Sequence, residues 1–533
     1  MAQEIMTGLE EARARMLALF GENKRIEDGG YDASCAVRCH NGTFVGERSD
    51  GVIAFRGIPF ATPPVGDLRW KAPVDAAPDD GVYEARFFGK IPLQTESVGQ
   101  MGSLYPQSED GLHLNVWKAE GDSSEKKPVM VWIHGGAFEI GSTAEPREEG
   151  CAFVRENPDV ILVSIEYRLG PFGFIHLSHL PDGADYPDAA NLGLMDQLMA
   201  LKWVHENIAG FGGDPDDVTI FGQSAGGGSV SLLPLVKGAR TYFHRVIAQS
   251  GSPSLCQSTE EAIESTNKLM AALGCTTVAE LQKVDAQTIL ETASEILGMR
   301  TAPERDGDFL PLNTWEAYAK GAAKDFDIMS GCAKDEFHYF STGWGVEGFT
   351  AWADERKAEK MPQLTEEEKE LVESFCADVN ALLPFEHSSR LLDQIWFNAP
   401  AIRCAEEQTR AGGRAFAYYI TVEATIPLMR SGHAIELSTL FNHPEETAFT
   451  GKQFDATFGK IMRRMWVQFA KCGDPSLTSE LSPDGKERLW PVYDIEDKPV
   501  MVFDEFNVRA EPEAKMKIVD WDRTYFLTNY YVL

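Results

Sequence analysis

The stretch Val218-Thr-Ile-Phe-Gly-Gln-Ser-Ala-Gly-Gly-Gly-Ser-Val-Ser-Leu-Leu233 constrains this chain more than any other. Val218–Phe221 is wholly β-branched or aromatic and reads as a short buried strand. Ser229–Leu233 reads as the body of a following helix. Gly222-Gln-Ser-Ala-Gly226 between them is a G-x-S-x-G turn. A serine on so tight a strand-to-helix turn has its hydroxyl pushed out of the sheet, and the flanking glycines remove the Cβ clashes the turn would create. The helix N-terminus behind Ser224 offers N–H groups and a positive dipole end to a developing oxyanion. From average glycine and serine usage, about one chain in five of this length holds the pentapeptide by chance. The remaining parts of an acyl-transfer site therefore decide the reading.

An activated serine needs oxyanion donors, a base, and a group that orients the base. Ile133-His-Gly-Gly-Ala-Phe138 closes a buried strand before the serine turn. Its two glycines let the backbone aim N–H groups at a pocket with no side chain in the way. Gly135 and Gly136 are the expected donors, joined by the N–H of Ala225. Of the 11 histidines, His433 stands out, in the loop Ser431-Gly-His-Ala-Ile-Glu-Leu437 just before a helical run. Lys334-Asp-Glu336 follows Phe326–Ala333, which reads as a strand, and places two carboxylates at its C-terminal end. The residues alone do not separate Asp335 from Glu336.

The remaining chain reads as one large α/β body. Val129–Ile133 and Val160–Ile165 are continuous apolar runs, as strands covered on both faces require. Asn191–Ile208 reads as a helix with Leu194, Leu198, Leu201 and Val204 along one stripe, ended by the turn Gly210–Pro215. Strand and helix in alternation argue for a mostly parallel central sheet flanked by helices. Residues 1–22 pattern as an amphipathic helix, so 1–35 is taken as a helical extension and 36–533 as a single domain. Residues 260–297 and 355–383 read as helical insertions that would cap or line a pocket. Residues 341–362 read as a loop or lid leading into the second, so that insertion is set at 341–383. Asn41-Gly42 reads as a hairpin turn rather than a glycosylation site.

The net charge of −33 disfavours nucleic acid and anionic membranes as partners. No apolar run reaches the ~18 residues of a membrane span, and Met1–Thr7 lacks the basic start and apolar block of a secretory signal. Nine scattered cysteines, an odd number, favour free thiols and a cytoplasmic, reducing setting. Cys35-x3-Cys39-His40 has no second ligand pair at finger spacing, so no metal is expected.

With these parts in order, the chain resembles the type-B carboxylesterase/cholinesterase family of α/β-hydrolases, and within it the bacterial para-nitrobenzyl-type esterases. The similarity runs from about residue 36 to about 505. It rests on Phe55-Arg-Gly-Ile-Pro-Phe-Ala-Thr-Pro-Pro-Val-Gly-Asp-Leu-Arg-Trp70, Glu109-Asp-Gly-Leu-His-Leu-Asn-Val116, Tyr167–Phe174, Phe211–Pro215, Gln249-Ser-Gly-Ser252 and Trp490-Pro-x-Tyr493. The resemblance implies an α/β-hydrolase fold, with Ser224 as nucleophile, His433 as general base and Glu336 as the acid, which breaks the tie with Asp335. It also supports Gly135, Gly136 and Ala225 as the oxyanion hole.

Three positions depart from the family pattern. Gly111 stands where a cysteine would, and its partner position falls near Pro92, so the disulfide of secreted members is absent. Phe337 replaces the usual glycine after the acid. Residues 92–111 hold no tryptophan, which argues against choline esters. The expected activity is hydrolysis of small-molecule carboxylic esters through an acyl-enzyme, without cofactor or metal, by a monomer or homodimer. Tyr105, Phe138 and Phe309 are the expected pocket residues. An adhesion-type protein without activity would lack the serine or histidine, whereas amide or lactone hydrolysis would use the same triad.

Overall fold

The computed structural model describes residues 2–27, 29–95, 105–121, 125–297, 300–379, 383 and 385–530. Its contacts gather into two compact units. One holds residues 10–246 and 256–314, the other 1–9, 247–255 and 315–532.

The first unit is built on β1 (Ala36–Cys39), β2 (Gly42–Ser49), β3 (Val52–Pro59), β4 (Val82–Ala85), β5 (His113–Ala119), β6 (Lys127–Ile133), β7 (Ile161–Ile165) and β8 (Gly213–Gln223). Its sheet order is β1-β2-β3-β5-β7-β6-β8, with β4 beside β2. The pairs that carry the serine motif are parallel: Val218 to Gly222 lie opposite Val129 to Ile133, which lie opposite Ile161 to Ile165. Val129 to Ile133 are fully buried, which is why they form a continuous apolar run. Helix α1 is Ala2–Leu17, α2 is Leu192–Asn207, α3 is Ala225–Leu232, α4 is Thr259–Leu273 and α5 is Ala286–Leu297. The last two are the helices expected over 260–297. α4 begins in a capping box between Ser258 and Glu261.

The N-terminal segment differs from its sequence reading. The helix ends at Leu17 rather than near residue 22, and the chain after it is stitched to the sheet. Asn23 Nδ2 donates to the carbonyls of Arg56 (3.0 Å) and Phe87 (2.8 Å), and Asn23 Oδ1 accepts from the N–H groups of Arg86 and Phe87. Asn41 is also bound inward: Nδ2 donates to Pro59 O (2.7 Å) and Oδ1 accepts from Trp203 Nε1 (3.1 Å). The hairpin loop is His40-Asn41, one residue earlier than expected, because Gly42 already pairs with Cys39.

Strand β9 (Arg245–Gln249) leads by sequence into the second unit. There β10 (Asp327–Ala333), β11 (Arg414–Ile420) and β12 (Pro499–Phe503) run parallel, with β13 (Arg509–Pro512) antiparallel at the edge. Its helices include α6 (His338–Lys360), α7 (Glu366–Asp378), α8 (Leu437–Leu440) and α9 (Ala456–Cys472). The loop expected over 341–362 is thus a correction: the segment is helical. The sole interruption lies at Gly345, whose φ of 74° kinks the helix. Glycine and tryptophan disguised the segment, but Val346, Phe349 and Trp352 fall on one face and pack on the aromatic core of this unit. Among the described residues no helix is long and apolar enough to cross a membrane.

Candidate active site

Ser224 sits at the end of β8 as the N-cap of α3, with φ 60° and ψ −123°. Those angles are strained for a residue with a Cβ, and the cost is met by packing on both sides. Gly226 makes that packing feasible, since a Cβ there would meet the Ile133 carbonyl oxygen at 2.0 Å. Ser224 is partly exposed while every residue of α3 behind it is buried.

The glycine loop after β6 reaches this serine. A Cβ built on Gly135 would stand 3.0 Å from Ser224 Cβ and 2.6 Å from Gln223 O, so the Gly135 backbone lies directly against the turn. Gly136, Ala137 and Phe138 all have positive φ (114°, 55° and 62°). The loop closes by Glu139 and Ile140 N–H groups donating to Gly136 O, both at 3.0 Å. Among the described residues, neither Gly135 nor Gly136 spends its N–H on a hydrogen bond outside the regular elements.

The loop is braced by residues that the sequence did not single out. His134 Nδ1 lies 2.8 Å from Gly135 O, and its Nε2 faces Glu166 Oε2 at 3.4 Å. Burial opposes a charge on His134, but the Glu166 carboxylate outweighs it and raises the imidazole pKa. A protonated Nδ1 donates to Gly135 O. Because that carbonyl and the Gly136 N–H share one planar peptide, fixing the first aims the second. Gln94 holds the far end, donating to Gly141 O and accepting from Gly141 N–H, each at 2.8 Å.

In the second unit Glu336 and His433 come together. His433 Nδ1 is 2.5 Å from Glu336 Oε2, and the His433 N–H donates to the Glu336 carbonyl at 3.1 Å. The other carboxylate oxygen, Oε1, accepts from Ser250 Oγ and from the Ala333 N–H, both at 2.6 Å. Glu336 is wholly buried. The rings of Phe397, Phe340 and Tyr339 stand 4.8, 5.7 and 6.0 Å from the imidazole. Ser250, in the Gln249–Ser252 segment, carries a hydroxyl whose role no local pattern reveals, because its partner lies 86 residues on. Asp335, the residue the sequence left tied with Glu336, points elsewhere and pairs with Arg390 at 2.9 Å.

Phe337 needs no glycine-like backbone: its φ of −72° and ψ of −10° are ordinary. Its ring lies within an aromatic cluster with Phe340, Trp396 and Phe397 at 5.3, 5.7 and 5.5 Å. Its N–H donates to buried Asp393 at 2.8 Å. Burial holds Asp393 well above the usual carboxylate range, against the pull of the Phe337 N–H and of Arg390.

The expected pocket residues have separate neighbours. Phe138 is buried against Phe174 (5.2 Å), and Tyr105 is buried and stacked on Phe20 (4.9 Å). Phe309 is half-buried on a turn whose N–H groups are capped by Asp306. Residues 96–104 of the segment without tryptophan lie outside the described residues. Gly111 lies against Pro92, where a Cβ would be 3.0 Å from Pro92 Cα, so the two positions are adjacent without a disulfide. None of the nine cysteines is joined in a disulfide.

Residues 33–519 match the family model described as Carboxylesterase family. A para-nitrobenzyl esterase of Bacillus subtilis (strain 168) is 33% identical over 504 residues, covering 90% of this chain and 97% of that protein. Acetylcholinesterase of Bungarus fasciatus is 29% identical over 507 residues, covering 88% and 82%. A solved carboxylesterase of Geobacillus stearothermophilus superposes with a TM-score of 0.78 at 32% identity, over 91% of this chain and 99% of that one. This chain belongs to the carboxylesterase family, has its α/β-hydrolase fold, and is a carboxylic ester hydrolase.

Proposed function

We propose that the chain hydrolyses small carboxylic esters through an acyl-enzyme on Ser224, with His433 as general base and Glu336 orienting the imidazole. The observation that carries this reading is the 2.5 Å approach of Glu336 Oε2 to His433 Nδ1. An ionised carboxylate there keeps the proton on Nδ1 and leaves Nε2 as an acceptor, the tautomer a base needs. Ser224 loses its proton to that nitrogen as Oγ attacks the ester carbonyl. Glu336 stabilises the resulting imidazolium. The N–H groups of Gly135, Gly136 and Ala225 receive the oxyanion. The alcohol leaves with the proton from His433. Water, activated by the same imidazole, then releases the acid. The free cysteines support a reducing compartment such as the cytoplasm.

The test is a p-nitrophenyl ester panel of rising acyl length, run on wild type and Ser224→Ala. Turnover by wild type that is abolished in a folded Ser224→Ala supports the reading. Near-wild-type rates in that variant overturn it. Anilides matched to the preferred acyl group separate ester from amide preference.

A further inference from the structure

His176 and Glu304 form a further buried-acid–imidazole pair, wholly within the first unit. His176 Nδ1 lies 2.7 Å from Glu304 Oε2, and His176 Nε2 lies 2.9 Å from Ser178 Oγ. The order of contacts, carboxylate to Nδ1 and Nε2 to hydroxyl, has the polarity a serine nucleophile requires. The carboxylate fixes the tautomer: with Nδ1–H donated to Glu304, Nε2 is the acceptor and Ser178 the donor.

The acid is held as an orienting group is held. Glu304 is 1% exposed. Its Oε1 accepts from Thr259 Oγ1 at 2.5 Å. Its N–H donates to Asn191 Oδ1 (2.9 Å) and its carbonyl accepts from Asn191 Nδ2 (3.0 Å). The His176 N–H is fixed in turn to Thr266 Oγ1 at 3.0 Å. Thr259 and Thr266 both lie on α4, so one helix anchors the acid and the base together. At the open end Ser178 is exposed and the His176 ring only partly so, which gives a reagent access to the hydroxyl but not to the carboxylate. A solvated serine near a histidine is commonplace. A buried, doubly anchored glutamate behind that histidine is what sets this one apart.

We propose that Ser178, His176 and Glu304 are a second nucleophilic site, which accepts an acyl or phosphonyl group from activated esters and fluorophosphonates. Ser178 Oγ forms the new bond to the carbonyl carbon, and its proton passes to His176 Nε2. The bond to the aryloxide breaks, and the aryloxide leaves with the electron pair. With a fluorophosphonate, an O–P bond forms and fluoride leaves. His176-Leu-Ser-His-Leu180 contains no glycine, and the Leu180 N–H is already bonded to Leu177 O (3.0 Å). No loop like Gly135–Gly136 adjoins the serine in sequence, so the adduct is retained rather than turned over rapidly.

Intact mass and peptide mapping after fluorophosphonate treatment of Ser224→Ala test this directly. The expected result is one adduct, on Ser178, absent from Ser224→Ala/Ser178→Ala. His176→Gln and Glu304→Gln in the Ser224→Ala background keep the serine but remove the base or its charge. The first slows labelling ~100-fold, the scale of general-base assistance. Absence of an adduct on Ser178 after prolonged treatment with a large excess of fluorophosphonate overturns the proposal. So does a labelling rate indifferent to His176→Gln in a variant whose melting is unchanged. Because mapping locates the adduct, the outcome is independent of whether Ser224 carries the ester turnover.

Discussion

His433 and Glu336 are joined twice: by Nδ1 to Oε2 at 2.5 Å, and by the His433 N–H to the Glu336 carbonyl at 3.1 Å. The second link ties the histidine loop to the acid through the backbone. The two backbones are thus held together whatever the carboxylate charge.

Glu336→Gln is therefore expected to keep this geometry and lose the charge. Its kcat falls ~10⁴-fold while melting changes little, the pattern of a triad acid made neutral. Asp335→Ala is expected to do the reverse. It strips the partner from Arg390 and costs about 3 kcal/mol, with kcat within roughly tenfold of wild type. Measuring kcat and melting on both variants checks the assignment; equal activity losses would refute it.

Gly135→Ala places a Cβ 2.6 Å from Gln223 O and 3.0 Å from Ser224 Cβ. The loop must retreat from the serine turn, and its N–H groups retreat with it. Loss of ~10²–10³ in kcat is expected, with a smaller change in KM, as for removal of one oxyanion donor. Steady-state kinetics on an ester with a good leaving group reads this.

Glu139 supplies a pH dependence. Burial pushes its carboxyl up to about 7, against the pull of the Thr301 N–H and hydroxyl, which both donate to Oε1. Unfolded, the group sits near its ordinary 4.5, so the fold favours the protonated form. That contribution is complete below about 4.5 and is lost as the pH rises through about 7. Glu139→Gln cannot ionise, so its melting temperature should gain on wild type steadily across that window. A constant difference at all pH values would show that Glu139 does not titrate there.

Asn23 makes four hydrogen bonds to the backbone of residues 56, 86 and 87. Asn23→Ala is expected to cost about 2 kcal/mol in denaturant unfolding, because part-buried backbone groups lose their partners. Deleting residues 1–30 should cost at least as much, since it also removes Phe20 from its stack on Tyr105.

Much of the protein was legible from local pattern. The runs Val129–Ile133 and Val160–Ile165 announce buried parallel strands because both faces are covered. Ser224, the Gly135–Gly136 loop and His433 stand out because tight turns demand glycine and small residues at fixed spacing. What the residues alone left open was decided by contacts between distant segments. Glu336 rather than Asp335 faces the imidazole because β10 ends so that Asp335 turns to Arg390. Residues 341–360 are helical because an aromatic face finds a core there, which the glycine and tryptophan content concealed. Ser250 meets Glu336 across 86 residues, and His176 meets Glu304 across 128. Periodicity records which face of an element is buried. Which side chain it is buried against is set only when the chain closes on itself.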